Sequence, residues 1–230
     1  MLVKNWMTKG VVSVDPDESM QRAISLMKEH KVRMLPVMKD GDIIGIVSDT
    51  DLKRASASDA TMLDVHEMLY LLSKVKIKEI MSRKPITVPE DYTVEETAEL
   101  LMNKKISGVP VVNQAGAVVG IITRDDLYKV LITLSGLGKR GIQLAFCVED
   151  RPGSIKDITD VIRTYGGRIA SILSSYERAP AGSRVVYIRM YEIDRGKIDD
   201  LLADLKQCAM MLYFVDHRTN KREILSDLGA

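Results

Sequence analysis

At 230 residues and 46% apolar composition, the chain can bury roughly 70% of its unfolded surface and needs neither disulfides nor a metal to hold a core. Its 33 basic residues balance 32 acidic ones, so there is no global field for nucleic acid or an anionic membrane, and an anionic ligand must be recognised locally. No stretch approaches the ~20 apolar residues of a membrane span, the opening MLVKNWMTKG has no signal-peptide core, and Cys147 and Cys208 lack metal-ligand spacing, as expected of a soluble cytoplasmic protein.

In chain order, the first half says one thing twice. Residues 3–52, VKNWMTKGVVSVDPDESMQRAISLMKEHKVRMLPVMKDGDIIGIVSDTDL, recur as residues 77–127, IKEIMSRKPITVPEDYTVEETAELLMNKKISGVPVVNQAGAVVGIITRDDL. Trp6-Met7 aligns with Ile80-Met81, Ser13 with Thr87 and Leu35-Pro36-Val37 with Val109-Pro110-Val111, all 74 positions apart. One extra residue in the second copy then shifts Gly45, Ser48 and Asp51 to Gly120, Thr123 and Asp126, 75 apart. Each copy opens with an extended segment (11–14 or 85–88). A helix follows, with Met20, Ala23, Ile24 and Met27, or Val94, Ala98 and Leu101, at helical spacing. Two strands come next, joined by KDGD (39–42) or NQAG (113–116), which put Asp-Gly and Ala-Gly where a hairpin wants positive φ. A second helix begins near Ser48-Asp49 or Thr123-Arg124. Neither copy is long enough to bury its own apolar face, so the repeats (1–54 and 76–134) should pack about a pseudo-dyad with the chemistry at their seam. In the insertion at 55–75, Met62, Val65, Leu69 and Leu72 form a helical stripe that suits either core or a partner helix.

After Leu134 the pattern breaks. SGLGKRG (135–141) is a linker by composition. The order then reads strand 142–148, loop 149–153, helix 154–165, strand 168–176, a turn through APAGS, strand 184–192, helix 197–207 and strand 210–215. That βαββαβ plan is the ferredoxin-like split βαβ, placing the whole chain in the α/β (α+β) class, with a second domain at 142–217 and a polar, mobile tail at 218–230.

The chemistry concentrates where an apolar strand ends on Ser48 or Thr123 and a carboxylate, Asp51 or Asp126, stands three residues later on a helix's first turn. The hydroxyl can cap the helix or donate to a phosphate, and the carboxylate can accept two hydrogen bonds from a vicinal diol such as a ribose. The competing reading is two ordinary N-caps whose acids complement the helix dipole. Finding Gly-x-x-[Ser/Thr]-x-x-Asp-Leu twice in register favours the first.

The repeated unit resembles a tandem pair of CBS motifs over residues 1–134. The resemblance implies a disc with two clefts for adenosyl ligands: AMP, ADP, ATP or S-adenosylmethionine. Asp would hold the ribose hydroxyls and Ser or Thr the phosphate or ribose. Carried over by position, one cleft would use Ser48 and Asp51 with Thr87, Ser107, Gly108 and Val109. The other would use Thr123 and Asp126 with Ser13, Met34 and Leu35. Arg124, where the first copy has Asp49, and Arg33 would give the Thr123/Asp126 cleft two cations for phosphate, making it the expected occupied site.

The segment VEDRPGSIKDITDVIRTYGGRIASI resembles an ACT domain, which implies a small effector, such as an amino acid, at Asp150, Pro152, Gly153 and Ser154, usually at a dimer interface. The alternative is a domain that only pairs chains. CBS pair followed by ACT is also similar to the acetoin-utilisation accessory proteins of bacteria. His30, His66 and His217 are scattered, Asp64 and Glu67 fall on the polar side of the insertion stripe, and no nucleophile context or phosphate loop occurs, so no catalysis and no metal are expected. The chain thus reads as a non-catalytic sensor requiring no cofactor: an adenine nucleotide is its effector, it forms a homodimer, and an unidentified protein receives the output. The rival is a constitutive dimeric scaffold with vestigial clefts.

Overall fold

The computed structural model describes residues 1–59, 70 and 72–226, and divides into two compact units, Met1–Tyr128 and Lys129–Ala230. The first half contains α1 (Met20–His30), β1 (Met34–Lys39), β2 (Asp42–Ser48), α2 (Asp49–Asp59), β3 (Ser82–Arg83), β4 (Val88–Pro89), α3 (Val94–Lys104), β5 (Gly108–Val112), β6 (Val118–Thr123) and α4 (Arg124–Leu134). Helices α1 and α3 start on hydroxyl caps. The Ser19 oxygen accepts the Arg22 N–H at 3.2 Å, while Thr93 and Glu96 form a full capping box. Both helices end on a lysine in the left-handed region, Lys31 and Lys105, each with φ 54°. Facing inward, Met20, Ala23, Leu26 and Met27 pack on Leu35, Val37, Val47 and Leu52.

The repeats are not closed units. β3 lies in the second copy by sequence but completes the sheet β1-β2-β3, pairing Gly45 with Arg83 and Ile46 with Ser82. Reciprocally, Thr8 of the first copy bridges Ile121 of β6, with N–H···O distances of 2.9 and 3.0 Å. The parallel bridge of Val14 to Val37 repeats the pairing of Val88 with Val111. Each copy therefore lends part of its leading segment to the other's sheet, and Ile77, Ile80 and Met81 of the second copy pack on the first copy's core.

That exchange explains two matched glycines. A Cβ on Gly120 would collide with the Met7 sulfur and lie 3.1 Å from the Thr8 carbonyl; one on Gly45 would meet Met81 and lie 3.1 Å from the Ser82 carbonyl. Gly120→Ala is expected to cost about 1–3 kcal/mol by overpacking. Urea unfolding followed by the fluorescence of Trp6, the one tryptophan, checks it.

The first hairpin turns through Asp40 (φ 51°) and Gly41 (φ 93°), the expected two-residue turn. The second differs from expectation: only Gly116 has positive φ, and Ala115 does not. Its extra residue makes a longer loop, closed instead by the Asn113 carboxamide oxygen, which accepts the Ala115 and Ala117 N–H groups at 3.0 Å. Of the insertion stripe, Leu72 packs partly buried on the first core; Met62, Val65 and Leu69 lie outside the described residues, as do Asp64, His66 and Glu67.

The second unit runs β7 (Ile142–Glu149), α5 (Ser154–Thr164), β8 (Arg168–Ser175), β9 (Ser183–Tyr191), α6 (Ile198–Cys208), β10 (Met210–Asp216) and β11 (Lys221–Ile224). Its antiparallel sheet has the order β11-β10-β7-β9-β8. Alternate residues Ile142, Leu144, Phe146 and Val148 bury one face against Ile158, Ile162, Leu201 and Leu205 of the helices. Part of the tail expected to be mobile is β11, a fifth strand held by Asp216. That buried carboxylate accepts the Arg218 N–H (2.9 Å) and Thr219 hydroxyl (2.9 Å) at the turn and pairs with Arg195. The glycine-rich stretch after Leu134 is likewise ordered: Leu137–Lys139 form a 3-10 turn, and the Gly141 carbonyl accepts the His217 N–H at 3.1 Å. Among the described residues no helix is long and apolar enough to cross a membrane.

Candidate functional site

The two strand-to-helix joints share one local geometry. The Asp51 Oδ2 accepts the Ser48 N–H at 2.9 Å and its hydroxyl at 2.6 Å, while the Asp51 N–H donates back to Ser48 Oγ at 3.2 Å. The Asp126 Oδ2 accepts the Thr123 N–H at 3.0 Å and its hydroxyl at 2.7 Å, with the return bond at 3.4 Å. Both pairs are capping boxes that fix the first turn of α2 or α4. Asp51 is partly exposed and Asp126 only 6% exposed, although each carboxylate offers about four lone-pair sites. The chain preceding each hairpin is tied to the same joint: the Arg33 carbonyl accepts the Asp49 N–H at 3.0 Å, and the Ser107 carbonyl accepts the Arg124 N–H at 2.9 Å.

The CBS domain family matches residues 3–58 and 77–133, the two copies of this joint and their helices. A CBS domain-containing protein of Dictyostelium discoideum is 31% identical over 133 residues, covering 57% of this chain and 92% of that protein. This chain belongs to the CBS-domain family. A solved CBS domain, 27% identical, matches 57% of the chain and 98% of its own with a TM-score of 0.50. A CBS domain pair solved with 5′-methylthioadenosine and S-adenosyl-L-methionine is 30% identical over 57% of this chain and 95% of its own, at a TM-score of 0.49.

Within the CBS pair, strand register sets the neighbours of the expected residues along each sheet. Met34 pairs with Ser48 and Leu35 with Val47, whereas Gly108 pairs with Thr123 and Val109 with Ile122. The strand leading into each joint is thus its own hairpin partner. A short hairpin loop brings the two ends of one copy together, so within the sheet Gly108 lies beside Thr123 and Val109 beside Ile122. Ser13 adjoins Val14, which bridges to β1, and Thr87 adjoins Val88, which pairs with β5, while Thr8 bridges Ile121 of β6 and Arg83 pairs with Gly45 of β2, so each leading segment runs from one copy's sheet to the other's. Arg33 precedes β1 and bonds through its carbonyl to the start of α2, and Arg124 starts α4. What distinguishes the joints is Asp49, which is paired with Lys53 at 3.1 Å where the second copy carries Arg124.

In the second unit, Gly153 (φ 91°) opens α5 without a side-chain cap. The Ser154 hydroxyl is buried and accepts from Arg184 Nη2 at 3.3 Å; Asp150 Oδ1 lies 3.6 Å from Arg184 Nε and accepts the Tyr176 hydroxyl at 3.4 Å. Pro152 contributes a carbonyl that accepts from Arg151 Nη1 at 3.3 Å. Arg184 is not legible in the sequence as a site residue. It stands 30 positions beyond Ser154 on another strand, and only sheet pairing brings it to the loop. Among the described residues, no group of three His, Cys, Asp or Glu side chains is placed to hold a metal.

Proposed function

We propose that the protein is a non-catalytic sensor whose CBS pair binds an adenine nucleotide (AMP, ADP, ATP or S-adenosylmethionine) at the two strand-to-helix joints. The observation that carries this is the duplicated hydroxyl–carboxylate pair, set at 2.6 and 2.7 Å on two helix first turns. Asp126 would accept the ribose hydroxyls, Thr123, Arg124 and Arg33 would meet phosphate, and Ser13, Met34 and Leu35 would shape the adenine slot. The other cleft would use Ser48 and Asp51 with Thr87, Ser107, Gly108 and Val109 in the same roles. The second unit, read as an ACT domain, would take a small metabolite at Asp150–Ser154 or pair chains into a homodimer. Its position after a CBS pair is what supports the likeness to acetoin-utilisation accessory proteins.

The scaffold reading also has an observation in its favour, since both carboxylates already cap helices. A thermal-shift screen separates the two readings. A nucleotide at a hundred times its Kd should stabilise the chain by about 2.7 kcal/mol, with adenine nucleotides well ahead of guanine and pyrimidine ones. No shift with any adenosyl ligand leaves the scaffold.

A further inference from the structure

Arg189, near the end of β9, is 4% exposed, and among the described residues no carboxylate pairs with it. A guanidinium carried so far from water needs a strong reason to stay there. Its Nε donates to the Ser135 carbonyl at 2.6 Å and its Nη2 to Gln143 Oε1 at 2.5 Å, while Nη1 is buried with no hydrogen-bond partner among the described residues. The Ser171 hydroxyl donates to the same Ser135 carbonyl at 2.8 Å. Ser135 follows the last residue of α4 and closes its final turn, N–H to the Leu131 carbonyl at 2.9 Å. The electronegative end of α4 is therefore gripped by a buried cation and a hydroxyl from the second unit's sheet. Gly136, with φ 66° and the Ala170 Cβ 2.9 Å from where its own Cβ would stand, lets the chain leave the helix pressed on that sheet.

The other end of α4 begins with Arg124, and its first turn holds Asp126 in the capping box with Thr123. We infer that Arg189 is the anchor through which α4 carries the state of the Thr123/Asp126 joint into the C-terminal sheet, which rests on reading that joint as the nucleotide site. A ribose hydroxyl donating to Asp126 draws on the same carboxylate that accepts the Thr123 N–H and hydroxyl, so a bound ligand loads the cap of a helix whose far end is fixed. That added load is the difference between states that coupling requires. By reciprocity, loosening Arg189 must change nucleotide affinity by the same factor.

Hydrogen exchange on the full chain tests this, comparing wild type, Arg189→Gln and Asp126→Asn, each with and without AMP. In wild type, AMP should slow exchange at 118–128 and also at 135–149 and 184–191. In Arg189→Gln the first effect should persist and the second vanish, and AMP affinity should shift roughly fivefold or more. Protection confined to 118–128 in wild type, or an undiminished distant effect in Arg189→Gln, would overturn the inference. If AMP protects nothing, the nucleotide reading fails separately, and the ligand-free arm decides: Asp126→Asn must alter exchange at 135–149, and unchanged exchange there overturns the coupling. Should Arg189→Gln lose protection throughout 142–216, Ser171→Ala, which removes only the second donor to Ser135, takes its place with the same pattern expected at smaller size.

Discussion

Asp126→Ala should bind AMP roughly 10- to 100-fold more weakly than wild type, the cost of losing hydrogen bonds to a charged acceptor. The residue is 6% exposed and sits on the first turn of α4, so its removal also takes away a helix cap, worth about 1 kcal/mol of stability. Thr123→Val separates the two effects, because it strips the cap hydroxyl while keeping the carboxylate. Titration calorimetry should show Thr123→Val binding AMP more tightly than Asp126→Ala. Asp51→Ala should matter less for a phosphorylated ligand, since Asp49 stands at the start of α2 where Arg124 stands at the start of α4. Equal Kd values for wild type and Asp126→Ala would remove the ribose clamp from that joint.

Asp216→Asn should destabilise the second unit by about 2 kcal/mol at pH 7. Burial pushes this carboxyl up, but the Arg195 guanidinium, the Arg218 N–H and the Thr219 hydroxyl outweigh it and hold the carboxyl at about 2, against an ordinary 3.8. A depressed value means that folding favours the ionised form. The stability this adds is present above about pH 4 and is lost as the pH falls toward 2. Wild type should therefore lose stability across that window more steeply than Asp216→Asn, which lacks the titrating group. Trp6 lies in the first unit, so exchange of the β10 and β11 amides in urea is the measurement to use. Parallel pH profiles for the two proteins would show that Asp216 does not buttress the β10–β11 turn.

Local features are legible in the sequence. The offset of 74 and then 75 residues locates both hairpins, and a hydroxyl three residues before an acid marks both capping boxes. The strands and helices of the second unit fall within a residue or so of their expected ends, because apolar alternation marks β7 and helical spacing marks α5. Long-range features are not legible. The partner of a two-residue strand such as β3 is settled by the other copy, and nothing in Ser82-Arg83 says so. The pairing of Gly108 with Thr123 follows from register, which motif spacing alone does not give.

Arg184, Arg189 and Asp216 escape for the same reason. Asp216 meets Arg195 across 21 positions and Arg184 meets Ser154 across 30, while Arg189 reaches Gln143 across 46 and Ser135 across 54. The fold alone brings such partners together, so no local pattern announces them. β11 is hidden in a related way, since Lys-Arg-Glu-Ile is a polar run that becomes a strand only because the Asp216 turn folds it onto β10.

Native mass spectrometry of the full chain with AMP added tests the central claim most directly. The expected result is a non-covalent AMP complex that GMP does not displace and that Asp126→Ala forms only at much higher ligand concentration. A wild-type chain that carries no AMP, ATP or S-adenosylmethionine at millimolar concentrations, or an Asp126→Ala chain that carries AMP as well as wild type does, would contradict it.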